Sequence, residues 1–250
     1  MYIIHFPQRL LRRGALFLAV MVVTMIVAYL LTPPVIERNQ DQPVAAAKLL
    51  PLMQVSTREP ALALTFDISW GEAMPPKVLA VLREHGVTCT FFLSGPWARR
   101  HPEIVRQIVT DGHDIQSHGQ EHKDYSTLTK AQLIQNIRES QEILEALTGR
   151  LPTYVRPPNG DYDDKSIIAA GEIGVTLVTW SVDTLDWMNP GVQRIKERAL
   201  RLAHKGAIVL LHASDSCKQT DLALPDIIKG LRDQGYQLVT LPELVEMETK

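Results

Sequence analysis

Hydrophobic positions run along this chain in two rhythms. Short β-prone runs at residues 61–67, 87–94, 113–118, 152–156, 175–182, 207–212 and 236–240 are separated by segments whose apolar residues recur every three or four positions. The clearest of these segments is 130–147, where Leu133, Ile134, Ile137, Leu144 and Leu147 fall on one helical face. Thr129 is placed to cap its start and Gly149 to end it. Strands alternating with helices predict an α/β domain on a mainly parallel sheet, open or closed as a barrel. No internal repeat or low-complexity block interrupts the pattern.

The first part of the chain has a different character. Arg9, Arg12 and Arg13 precede an uncharged stretch over residues 14–31, long enough to cross most of a hydrocarbon core as a helix. Small residues suited to signal cleavage come only at Ala45–Ala47, so the stretch reads as an uncleaved signal anchor; a cleaved signal would give a secreted protein. The arginines keep the N-terminus cytoplasmic and send the remainder out. The expected organisation is a basic cytoplasmic segment over 1–13, a transmembrane anchor over 14–31, a linker over 32–60 and a folded domain over 61–250. The linker is rich in proline, glutamine and alanine, with one short strand expected near Val55.

Composition narrows the function. With 250 residues, 45% hydrophobic and 22% charged, the chain can bury one sizeable core. A net charge of -2 and no long basic run after the first residues exclude the electrostatic footprint of a nucleic-acid binder. Cys89 and Cys217 lie far apart, which suggests neither a disulfide framework nor a cysteine zinc site. Cys89 reads as a buried small hydrophobe and Cys217 as a loop thiol.

Candidate chemistry sits where the predicted strands end: Asp67, His118, Arg156, Asp183 and His212. A polar residue at one strand end is ordinary, but in an α/β barrel these ends converge on one face, and five such endings describe one site. His118 and His122 are four apart, a spacing that on a helical turn sets two imidazoles side by side for a divalent metal, and their segment follows a strand and precedes a helix, where a loop-borne metal site is built. Asp67 closes an apolar strand and needs a cation, for which Arg156 is the natural candidate. The rigid Pro157-Pro158-Asn159-Gly160 turn follows Arg156 and offers backbone N–H groups. His212 closes a buried strand and needs a partner, either Asp183 or Asp186. Each of the tryptophans, Trp70, Trp97, Trp180 and Trp187, reads first as a core residue, and those flanking the site can also stack on sugar rings.

Taken in order, Thr65-Phe66-Asp67, His118 with His122, Arg156-Pro157-Pro158, Asp183 with Asp186-Trp187, and Leu211-His212 resemble the five motifs of the polysaccharide deacetylase family, with its NodB homology domain. The phrases Thr65-Phe66-Asp67-Ile68-Ser69-Trp70-Gly71 and Leu210-Leu211-His212-Ala213-Ser214-Asp215-Ser216 look most like the PdaB-type branch of spore-forming bacteria. The resemblance implies a distorted (β/α)7 barrel and metal-dependent removal of N-acetyl groups from peptidoglycan or chitin-like aminosugar polymers, with zinc or another divalent ion as cofactor. It implies Asp67 as base, His118 and His122 as metal ligands, Arg156 as the residue holding the base, His212 as acid and Asp183 as its partner. Pro157, Asn159, Gly160 and Trp187 are the expected substrate contacts. The sequence departs from the pattern at Ile68, where active members carry a second, metal-binding aspartate, and at Gly119, where the family has a hydroxyl residue. Asp67, Glu121, Asp161 or Asp163 would have to complete the metal shell. The alternatives are a barrel that binds glycan without hydrolysing it, motivated by Ile68, and an esterase acting on O-acetyl groups.

Overall fold

The structure is a computed structural model that describes residues 21–25, 27 and 49–249. The chain divides into two units, residues 1–47 and 48–250. In the first, residues 21–25 and 27 are helical and exposed. The remainder of the expected anchor, 14–31, lies outside the described residues, as do 1–13 and most of the linker. Among the described residues no helix is long and apolar enough to cross a membrane.

The second unit is organised around β1 (Ala61–Ile68), whose eight residues are all buried. Such a run marks a strand covered on both faces, the usual condition of a parallel sheet. Its two faces nevertheless differ. Leu62, Leu64, Phe66 and Ile68 join the apolar cluster formed with Met74, Val78 and Leu82 of helix α1 (Met74–Glu84), and with Leu224 and Ile228 further along the chain. Ala61, Ala63, Thr65 and Asp67 alternate with them and turn to the inside of the sheet's curve. Small and polar residues therefore line the interior of β1, and large apolar ones lie beneath the helices.

All strand pairings are parallel. β1 lies between β2 (Thr90–Leu93) and β7 (Ile208–His212), and the full path runs β5-β4-β3-β2-β1-β7-β6, with β8 (Gln237–Val239) pairing β1 near its start. β3 is Asp114–Ser117, β4 is Tyr154–Val155, β5 is Thr176–Leu177 and β6 is Val182–Asp183. The barrel expected from the family resemblance is thus a curled sheet whose end strands, β5 and β6, do not pair with each other. The run expected as one strand over 175–182 splits between them. Thr179 leaves the ladder because its N–H bonds Leu52 O and its carbonyl accepts from Arg156. The segment around Val55 spans part of this gap: Leu52 bridges to Val178 and Gln54 to Ala207, while Val55 is buried.

Helix α2 (Lys130–Thr148) forms as its sequence predicts. Thr129 and Gln132 make a reciprocal capping box, and Gly149 ends the helix at φ 73°. Its buried face also carries Asn136, Ser140 and Gln141, which bond the Gln120 N–H after β3, the Ser117 hydroxyl at the end of β3 and the Pro152 carbonyl ahead of β4.

Candidate active site

The register of β1 brings the first two functional groups together: Asp67 stands opposite His212 on one side and Phe92 on the other. At this end of the sheet the strand termini surround a cleft of ≈ 510 Å³, lined among others by Asp67, His118, His122, Asp183 and His212. Residues as far apart in sequence as Asp67 and Cys217 thereby share one solvent pocket.

Asp67 is buried, and its Oδ1 accepts a hydrogen bond of 2.8 Å from Arg156 Nη1. Arg156 is fully buried beneath the cleft. Its Nη2 donates to the Thr179 carbonyl at 3.1 Å, and its guanidinium lies 4.1 Å from the centre of the Phe92 ring and 5.7 Å from that of Trp180. Burial alone would raise the Asp67 carboxyl, but Arg156, with His118 and His212, outweighs it and holds the group below the usual carboxylate range. That shift favours the carboxylate, whose Oδ2 is left free of Arg156.

His212 is held from behind. Asp186, wholly buried, accepts from the His212 backbone N–H at 2.7 Å through Oδ2 and pairs with the ring Nδ1 at 2.8 Å through Oδ1. Thr220 Oγ1 donates to Oδ2 at 2.7 Å and completes the carboxylate's shell. Burial works against the charged imidazole, yet Asp186 and then Asp67 raise the His212 pKa above its ordinary value. The expected partner, Asp183, lines the cleft but does not serve this role. Its Oδ1 accepts from Leu185 N–H at 2.8 Å, and the turn so formed, with Leu185 at φ 58°, carries the chain down to Asp186. Sequence spacing left both aspartates open; only the turn decides between them.

His118 and His122 come together, but not on a helical turn. Residues 118–124 form an irregular loop, because Gly119 takes φ 76° immediately after the first histidine. The rings lie 5.5 Å apart at 77°. His118 Nδ1 is 2.9 Å from the Arg156 carbonyl; donating its proton there leaves Nε2 as the free lone pair, 3.8 Å from Asp67 Oδ2. Burial lowers the His118 pKa to about 4, so the ring is neutral near pH 7. Burial likewise lowers that of His122.

These groups do not make up a three-ligand metal site. Ile68 is fully buried on the helix side of β1, away from the histidines. Asp161 accepts from Ser126 N–H, Asp163 caps the helix Asp164–Glu172, and Glu121 pairs with Lys123, while Asp67, whose Oδ2 lies 3.8 Å from His118 Nε2, is bound to Arg156 through Oδ1 and forms no close trio with both histidines. Among the described residues, the one trio of His, Cys, Asp or Glu with ligand atoms all within 4.8 Å of each other is Asp186, His212 and Cys217, and its Asp–His pair is the hydrogen-bonded one just described. Two imidazoles without a third side chain fall short of the usual catalytic zinc shell. Cys217 lies in the loop after β7, as expected, and is buried, and burial with nearby Asp186 pushes it up to about 12. Cys89 is buried as expected.

The expected substrate contacts divide. Asn159, Gly160 and Trp187 line the cleft, whereas Pro157 is buried outside it, because the turn directs its ring inward and presents the next residues. Asn159 adopts φ 58° and donates through Nδ2 to Asp124 Oδ1 at 2.7 Å. Gly160 is required by packing: a Cβ there would lie 2.6 Å from the Trp180 ring. Trp70 also lines the cleft, a position that the polar strand endings do not reveal.

Comparison with known proteins agrees with this geometry. Residues 54–178 match the family model for polysaccharide deacetylase. The chain is 35% identical over 195 residues to a peptidoglycan-N-acetylglucosamine deacetylase of Bacillus cereus, covering 77% of this chain and 91% of that one. It is 32% identical over 196 residues to the Bacillus subtilis protein YlxY, covering 78% of this chain but only 60% of that longer relative. Among solved structures, a CE4 family pseudoenzyme from Bacillus anthracis superposes with a TM-score of 0.75 at 28% identity, covering 80% of this chain and 70% of that one. The motifs, the curled parallel sheet and these relatives together show that the chain belongs to the polysaccharide deacetylase family.

Proposed function

We propose that this protein hydrolyses N-acetyl groups on an aminosugar polymer of the cell wall, from the outer side of the membrane. The observation that carries the reading is the pairing of an ionised Asp67 with an imidazole of raised pKa, His212, across one cleft. Asp67 takes a proton from the attacking water, whose oxygen bonds to the acetamido carbon. His212 then gives a proton to the departing nitrogen as the C–N bond breaks, leaving acetate and a free amine. Arg156 keeps Asp67 ionised throughout, and Asp186 fixes the His212 ring. The basic and then uncharged N-terminal segment supports export. Relatives that act on peptidoglycan support the polymer as substrate, and the likeness to the PdaB-type branch supports a place in sporulation.

A second reading rests on Ile68. With no close third ligand beside His118 and His122 among the described residues, and with a CE4 family pseudoenzyme among its structural relatives, the cleft also suits a glycan-binding wall protein. Acetate release separates the two. The purified full-length protein, assayed on peptidoglycan and N-acetylglucosamine oligomers with and without zinc or cobalt, is expected to release acetate. Asp67→Asn and Asp186→Asn should each lower the rate about a hundredfold or more. Oligomer binding with no acetate under any metal would instead establish the second reading.

A further inference from the structure

Of the four tryptophans, Trp70, Trp180 and Trp187 line the cleft and Trp97 does not. Trp97 is fully buried with its Nε1–H bonded to the Gly71 carbonyl, and Trp180 packs against Gly160. Trp70 and Trp187 are 45% and 49% exposed, and both line the cleft. Trp187 follows Asp186, the carboxylate behind His212, and was expected to meet substrate. Trp70 has no such assignment.

Its ring is held by contacts that leave a face open. The Nε1–H donates to Ser216 Oγ at 3.1 Å, and the ring meets His122 at 5.4 Å and 70°. The backbone that follows is rigid. Asp215 accepts from the N–H groups of Glu72, Ala73 and Met74, and Gly71, at φ 80°, lies so close that a Cβ would sit 2.2 Å from the Asp215 carboxyl. The Ser216 carbonyl in turn accepts from Asn189 Nδ2 at 2.8 Å, just past the turn that carries Trp187. One loop thus holds the Trp70 indole beside His122 and bonds the chain just past Trp187, the residue after Asp186. A large aromatic held half-exposed at a cleft gains nothing from core burial, whereas a fixed indole face suits the apolar face of a pyranose ring with little ordering cost.

We propose that Trp70 is the platform of a sugar subsite distinct from that of Trp187, so that the cleft grips a chain of several N-acetylated aminosugars and not a single unit. The inference rests on the glycan reading of the cleft above, but not on its hydrolytic step.

Calorimetric titration of the full-length protein with N-acetylglucosamine and its oligomers of two to five units tests it. Trp70→Ala should weaken binding of the pentamer about tenfold and leave the single sugar unchanged, while Trp70→Phe recovers most of the loss. Ser216→Ala, which frees the ring without removing it, should cost less than Trp70→Ala. An unaltered melting temperature in each variant confirms that the fold is intact. Pentamer affinity unchanged in Trp70→Ala overturns the proposal, even if wild-type protein releases acetate. Weakened pentamer binding without acetate release upholds it while refuting hydrolysis. No oligomer binding by wild-type protein overturns both.

Discussion

Ile68 shows how one residue can be read correctly for its chemistry and still require the structure for its meaning. An isoleucine cannot ligate a metal, and that much is evident from the side chain. The structure adds that it lies on the face of β1 turned toward Met74, Leu93 and Trp97, so the position belongs to the core as well as to the motif. An aspartate placed there must either sit desolvated among apolar groups or swing out at the strand end toward the histidines. Ile68→Asp should therefore lower the melting temperature of the metal-free protein, with zinc restoring part of the loss. Its zinc dissociation constant should fall at least about tenfold relative to wild type. Calorimetry with zinc and a melting curve at each metal concentration check both outcomes, and an unchanged affinity would show that another group already completes the shell. The choice of Asp186 over Asp183 has the same lesson at the same scale. Both aspartates flank a short turn, and only the αL conformation of Leu185 determines which carboxylate reaches His212.

At the scale of elements, the long helix was the most legible feature, because its capping residues and apolar face act locally. Lys130–Thr148 begins after Thr129 and ends at Gly149, in accord with its sequence. The histidine loop was legible as a loop between a strand and a helix, but its course was not, since a four-residue spacing has a helical meaning only inside a helix. Gly119 breaks that turn, and the loop is instead held by the polar face of the helix: Gln120 N–H donates to Asn136 Oδ1 at 2.9 Å, and Gly119 N–H to Ser117 Oγ at 3.0 Å. A Cβ at position 119 would lie 2.6 Å from Asn136 Oδ1 and 2.7 Å from the Tyr125 hydroxyl. Gly119→Ala combines that collision with a positive φ and should destabilise the protein by about 1–3 kcal/mol in urea unfolding. A loss below a few tenths would show that the loop yields without strain. The hydroxyl residue that the family carries here has no room beside Asn136 and Tyr125.

Across the whole molecule, buried neutral histidines set the response to acid. Burial lowers His113 and His118 to about 4 each, while their unfolded values are near 6.5. Between these limits the unfolded chain binds protons that the native state refuses, so stability falls as the pH drops from about 6.5 to about 4. His212 has the opposite sign: its raised pKa adds stability that is complete below its unfolded value, so it does not contribute to the loss in this window. Unfolding free energies of the metal-free protein at a series of pH values should decline through this range, and His113→Gln should make the decline shallower. An equally steep decline in that variant would remove His113 from the account. The alternation of strands and helices, the parallel sheet and the meeting of Asp67, His118, Arg156 and His212 at one end of it were legible in the sequence, because burial period and strand-end polarity are properties of short segments. The open curl of the sheet, the seating of Leu52–Val55 across its gap, the inward burial of Pro157 and the clamp between Trp70 and Ser216 were decided only by tertiary structure. The physical reason is that each depends on contacts between residues far apart in the chain, where geometry is set by packing and by the search of buried polar groups for partners.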